Sequence, residues 1–108
     1  MTDKIVVYST CSGVEEAKKL AKHLIDQRLA ACVNVFRDVD SFYRWKGKVE
    51  QEAEVLLMIK TSRELFERLN LEWSRLHSYE IPELVAVPIM AGAPDYLNWM
   101  ESEIGPQD

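Results

Sequence analysis

The chain has 108 residues, 47% of them hydrophobic and 29% charged, which suits one globular domain spanning 1–108 and argues against disorder or a membrane partner. Thirteen lysines and arginines stand against eighteen aspartates and glutamates, a formal net charge of -5, so a nucleic-acid backbone is not the expected ligand. Cys11 and Cys32 lack C-x-x-C spacing and are too few for a disulfide framework. Reduced thiols in a cytoplasmic protein are the simpler expectation, matched by a first strand reached without an apolar or basic leader.

Lys4 to Thr10, rich in β-branched and aromatic residues, predicts the first strand, and Thr10-Cys11-Ser12-Gly13 a turn into a helix. Ser12 and Glu15 have capping-box spacing. Val14, Ala17, Leu20, Ala21, Leu24 and Ile25 recur at helical intervals, so the first helix is expected to end near Leu29, with His23 on its surface. Ala31 to Trp45 reads as a strand in which Asp38 and Asp40 predict a bulge or twist. Lys46-Gly47 makes the turn. The return strand begins with Glu50, Glu52 and Glu54 in alternation, expected on one solvated face, and continues into the apolar run Val55 to Ile59.

Thr61 and Glu64 suggest a second capping box, and Leu65, Phe66, Leu69, Trp73 and Leu76 a second amphipathic helix. Pro82 and Pro88 bracket a last strand, Leu84 to Met90, placed at a sheet edge because proline cannot donate to a ladder. Asp95 to Glu103 closes the chain as a short helix. The order βαββαβ plus a C-terminal helix predicts an α+β fold, a ferredoxin-like split βαβ sandwich with two helices on one face of an antiparallel sheet.

Ala31 to Ser62 is long for so small a domain. Each arm of about 14 residues reaches on the order of 45 Å at roughly 3.3 Å per residue, whereas a compact chain of this length is only about 34 Å across. The overhang needs cover, which a homo-oligomer supplies most simply.

The topology brings Cys11, His77, Tyr79 and Glu80, with the base of the Tyr43 to Trp45 tip, to one edge of the sheet. A thiol before a helix N-terminus is expected to favour thiolate, and a Cys11, His77, Glu80 set would suit copper or another divalent metal ion. Against this stand a turn-filling Cys11 and a His77 that caps the last helix carbonyls. Cys32 reads as core. Tyr43, Trp45, Lys48, Tyr79 and Glu83 are expected to line a small-ligand cleft or to serve association. No nucleophile elbow, P-loop, dinucleotide fingerprint or metalloprotease helix is present, so no catalytic residues are expected and the protein reads as a non-enzyme.

Leu29-Ala30-Ala31-Cys32-Val33-Asn34, Ser41-Phe42-Tyr43-Arg44-Trp45-Lys46-Gly47-Lys48, Ile59-Lys60-Thr61, Tyr79-Glu80-Ile81-Pro82-Glu83-Leu84 and Tyr96-Leu97-Asn98-Trp99 together resemble the CutA divalent-cation tolerance proteins, nearly end to end. The resemblance implies a PII-like homotrimer with ribbons pairing across subunits, a part in copper and divalent-cation tolerance, and proposed copper ligands that carry over to Cys11 and His77. The family's His-Pro-Tyr is His77-Ser78-Tyr79 here, which implies a less rigid turn. The leading expectation is a homotrimer binding divalent metal, copper foremost, in a tolerance or homeostasis role. The alternative is a PII-like signalling module holding a small-molecule effector between subunits. A third is a stable assembly that anchors other proteins.

Overall fold

The computed structural model describes residues 2–106; positions 1, 107 and 108 of the expected domain lie outside the described residues. In chain order the elements are β1 (Lys4–Cys11), α1 (Val14–Asp26), β2 (Cys32–Trp45), β3 (Lys48–Ser62), a 3-10 turn (Arg63–Leu65) running into α2 (Phe66–Leu76), β4 (Val85–Pro88) and α3 (Pro94–Glu103). The sheet order is β2-β3-β1-β4 with every pair antiparallel, the ferredoxin-like α+β arrangement that the element order predicts.

Alternation along β1 sends Ile5, Val7 and Cys11 to the core, where Leu57 and Ile59 of β3 join them. The apolar stripes of α1 (Ala17, Leu20, Leu24) and α2 (Leu69, Trp73) close over that face. Each such large side chain, taken from water, contributes about 1.5–3 kcal/mol. His23 is not simply a surface residue: its Nε2 lies 3.2 Å from Glu72 Oε2, tying α1 to α2. At the other end Lys4, almost wholly buried, donates to Asp3 and Glu101 at 2.6 Å each and so fastens α3 to β1.

Neither expected capping box forms. Gly13 is the N-cap of α1 with no side-chain bond, and Ser12 Oγ lies 3.5 Å from Glu16 instead. Thr61 remains in β3 and donates to the buried Leu29 carbonyl at 2.7 Å, so the second helix opens as a 3-10 turn after Ser62. A buried carbonyl that needs a donor outweighs an exposed amide that water can satisfy. α1 stops at Asp26 rather than near Leu29 because Arg28 takes a φ of 58°, while Leu29 N–H returns to Leu24 O at 2.9 Å.

The bulge foreseen in β2 is present: pairing shifts between Phe36 and Val39, with Asp38 at φ 59°. Lys46 and Gly47 both have positive φ, 49° and 82°, as a two-residue hairpin turn that matches strand twist requires. β4 is shorter than the expected Leu84 to Met90. Pro88 sits opposite Ile5 at the sheet edge, and Leu84 leaves the ladder to pack against the core.

β1 ends its pairing with β3 at Cys11 opposite Val55. From Glu54 to the turn, β3 therefore has only β2 beside it, and the hairpin continues as a two-stranded ribbon. The molecule accordingly measures 46 × 26 × 22 Å. Phe42 and Val49 on that ribbon are 67% and 68% exposed, and β4 is exposed throughout, so apolar surface and both sheet edges stand open.

Candidate functional site: a glutamate-lined cleft at the base of the hairpin

The hairpin register builds the site. The turn sets Trp45 opposite Lys48, hence Tyr43 opposite Glu50, Ser41 opposite Glu52 and Val39 opposite Glu54. Directly opposed residues share a face, so Ser41 and Tyr43 stand beside three carboxylates. The irregular segment after α2 faces them with Ser78, Tyr79, Glu80, Ile81 and Glu83. Between the two lies a cleft of about 740 Å³, also lined by Thr10, Phe42 and Trp45. The glutamates expected on a solvated face are thus wall residues, and Glu54 is buried because it lies where the ribbon meets the body. Lys48, expected in the lining, shares that face as the partner of Trp45 but sits at the turn, exposed and outside the cleft lining.

Polar contacts hold the far wall in place. Ser9 Oγ, fully buried, accepts from Trp73 Nε1 at 2.8 Å and donates to Glu83 O at 2.6 Å. Tyr79 Oη donates to Glu54 at 2.5 Å. Burial first, and then the Glu54 carboxylate, push the Tyr79 hydroxyl well above the ordinary phenol range. Glu83 is also raised, by partial burial of its carboxyl and by the charge of Glu54. At Tyr43 the bond to Glu52 is the main cause of a raised hydroxyl. Burial leads at Tyr79 and Glu83 and a carboxylate bond at Tyr43, but a neighbouring glutamate adds to all three, and among the described residues no lysine or arginine lines the cleft.

Cys11 and His77 meet as the topology requires, Sγ to Nε2 at 3.6 Å, but beneath the cleft rather than in its lining. His77 Nε2 lies 2.7 Å from the Thr10 carbonyl, and Nδ1 accepts the Tyr79 N–H at 3.0 Å. These partners assign the proton to Nε2 and occupy the lone pair of Nδ1. A metal at His77 must displace one of them. The expected thiolate is also overturned: burial, followed by the charges of Glu16 and Glu54, pushes the Cys11 thiol up to about 12. Desolvation of a buried sulfur outweighs the helix dipole. Glu80, the third expected ligand, is exposed in the cleft lining. Among the described residues no group of three or more His, Cys, Asp and Glu side chains converges to hold a metal ion.

Glu16 and Ser78 were not foreseen. Ser78 donates to the Glu16 carboxylate twice, from its backbone N (2.9 Å) and from Oγ (3.0 Å). These bonds restrain a turn expected to be loosened by the missing proline.

The structure so defined is a split βαβ sandwich with an elongated central hairpin and an acidic cleft where that hairpin leaves the sheet. Residues 5–103 match the family described as CutA1 divalent ion tolerance protein, and the chain belongs to that family. It is 42% identical over 100 residues to the divalent-cation tolerance protein CutA of Thermus thermophilus, covering 93% of this chain and 97% of that one. It is 43% identical over 98 residues to the chloroplastic protein CutA of Arabidopsis thaliana, covering 91% of this chain but only 54% of that longer protein. Among solved structures, CutA1 from Oryza sativa superposes with a TM-score of 0.93 at 40% identity, covering 96% of this chain and 95% of that one. The Thermus thermophilus protein gives 0.92 at 41%, covering 94% and 99%.

Proposed function

We propose that the protein works as a homotrimer that binds divalent cations, copper foremost, in a tolerance or homeostasis role, and that the cation enters through the glutamate-lined cleft. The observation that carries this reading is the lining itself: Glu50, Glu52, Glu54, Glu80 and Glu83 with no basic side chain among them. Glu83 is raised by burial first and then by the charge of Glu54, and a divalent cation would offset that second contribution. Copper is the metal proposed because, for a given donor set, Cu2+ stands at the head of the divalent affinity order. Since no three His, Cys, Asp or Glu donors converge among the described residues, water or a second copy supplies the remaining ligands. The buried Cys11–His77 pair would become available only if the turn at 77–80 opened.

Trimer formation is supported by the two-stranded ribbon, the open β4 edge and the exposed Phe42, Val49, Val85 and Val87. The free thiols of Cys11 and Cys32 support a reducing, cytoplasmic setting, and no catalytic role is proposed. The family resemblance to divalent-ion tolerance proteins agrees with the cation reading.

Native mass spectrometry of the reduced protein with and without Cu2+ tests the proposal. A trimer taking up about three coppers, one per chain by symmetry, is expected. Glu50→Gln with Glu83→Gln should abolish that uptake; if those changes leave it intact and Cys11→Ser removes it, the cleft is not the site. A second reading, a small-molecule sensor, draws on the aromatic lining of Phe42, Tyr43, Trp45 and Tyr79. It predicts that Trp45→Ala removes ligand-induced thermal stabilisation while the assembly persists.

A further inference from the structure

The segment between α2 and β4 has no regular structure, yet it supplies five of the residues that line the cleft. Its conformation must be set by side chains. Glu83 is held through its carbonyl by Ser9, and Tyr79 by Glu54 and His77. A further restraint, beside the His77 bond to the Thr10 carbonyl, comes from across the molecule. Glu16 occupies the third position of α1, where a capping box would return it to the backbone of Gly13. Instead its two oxygens reach Ser78, Oε2 to the backbone N–H and Oε1 to the hydroxyl. Ser78 is itself exposed, so without Glu16 both donors would simply turn to water and the turn would lose its outer tether.

We propose that Glu16 is a positioning residue for the cleft, whose grip on both Ser78 donors sets the turn at 77–80, presents Tyr79 and Glu80 to the cleft and keeps His77 closed over Cys11. Its functional consequence rests on the cation reading above; its structural content does not. Glu16 joins the start of α1 to residues that no strand or helix orients. The bonds are charge-assisted and approach a fork, which restrains direction as well as distance. Cys11, wholly buried against the His77 ring, reports whether the turn is shut.

The test uses a Cys32→Ser background, because Cys32 is partly exposed and would react with a thiol reagent. In the full-length protein, three quantities are compared for Glu16→Ala: the rate at which 5,5′-dithiobis(2-nitrobenzoate) labels Cys11, hydrogen exchange at the Tyr79 amide, and Cu2+ affinity by calorimetry. The two metal-free rates should rise about tenfold, the factor that losing a charge-assisted hydrogen bond is worth, and Cu2+ binding should weaken by a similar factor. Ser78→Pro added to Glu16→Ala should return all three toward the parent values. His77, at φ -72° and ψ 143°, already has the extended conformation that a following proline requires.

Unchanged labelling and exchange in Glu16→Ala overturn the proposal. So does a double variant whose Cys11 stays reactive, since the lost charge of Glu16 rather than position would then be the cause. If the parent protein takes no Cu2+ while both metal-free readouts behave as expected, the cation reading fails and the positioning role stands.

Discussion

Replacing Ser9 with alanine tests whether the buried relay from α2 to the cleft wall stabilises the fold. The hydroxyl accepts from the Trp73 indole and donates to the Glu83 carbonyl, and both Ser9 and Trp73 are all but inaccessible to solvent. Each hydrogen bond contributes a net 0.5–1.5 kcal/mol or so, but an indole N–H left buried without an acceptor costs about 1–3 kcal/mol. Ser9→Ala should therefore destabilise by about 2–4 kcal/mol, far more than a surface serine. Urea unfolding followed by far-ultraviolet circular dichroism, at one fixed protein concentration, measures it; fixing the concentration matters because association shifts the midpoint. Trp73→Phe removes the orphaned donor, so the double variant should lose at least about 1 kcal/mol less than the sum of the two single changes. A loss under about 0.5 kcal/mol for Ser9→Ala, or strict additivity, would refute the relay.

Asp38 sits at φ 59° in the β2 bulge, a conformation open to glycine and closed to β-branched residues, so Asp38→Gly should be close to neutral while Asp38→Val should cost about 1–2 kcal/mol, read from thermal unfolding. Glu83 binds its proton more tightly in the folded protein than its ordinary value of 4.5, because of burial and then Glu54. The folded state therefore holds more protons than the unfolded state just above that value, so this carboxyl subtracts stability as pH rises through the raised titration. Glu83→Gln should stabilise the protein at neutral pH, and the gain should vanish below about pH 4, where the carboxyl is protonated in both states. Parallel denaturation curves at the two pH values check this, and an equal gain at both would exclude the electrostatic cause.

Local chemistry written in the chain foretold much of the architecture. The stripes on α1 and α2, the Lys46-Gly47 turn, the Asp38 bulge and the edge position of Pro88 each depend on neighbours within a few residues, and each is found as expected. The length of the hairpin arms also foretold a ribbon that projects beyond the core, and the molecule is correspondingly elongated to 46 Å. Even the glutamate wall was partly legible: a two-residue turn fixes the register, and counting back from it sets Tyr43 opposite Glu50 and Ser41 opposite Glu52.

Tertiary structure decided what depends on contacts between distant segments. Thr61 abandons its helix cap because the Leu29 carbonyl, 32 positions away, is buried and needs a donor. Cys11 resembles a helix-terminus thiolate in sequence, yet the packing of β1 desolvates it and sets Glu16 and Glu54 near it, so the thiol keeps its proton. His77 could be placed at the correct edge from topology alone, but only the folded turn shows both of its ring nitrogens engaged, one with Thr10 and one with Tyr79. Periodicity and turn chemistry are local and survive in the linear chain; desolvation and hydrogen-bond partnership are set by which residues the fold brings together, here Glu16 with Ser78 across 62 positions.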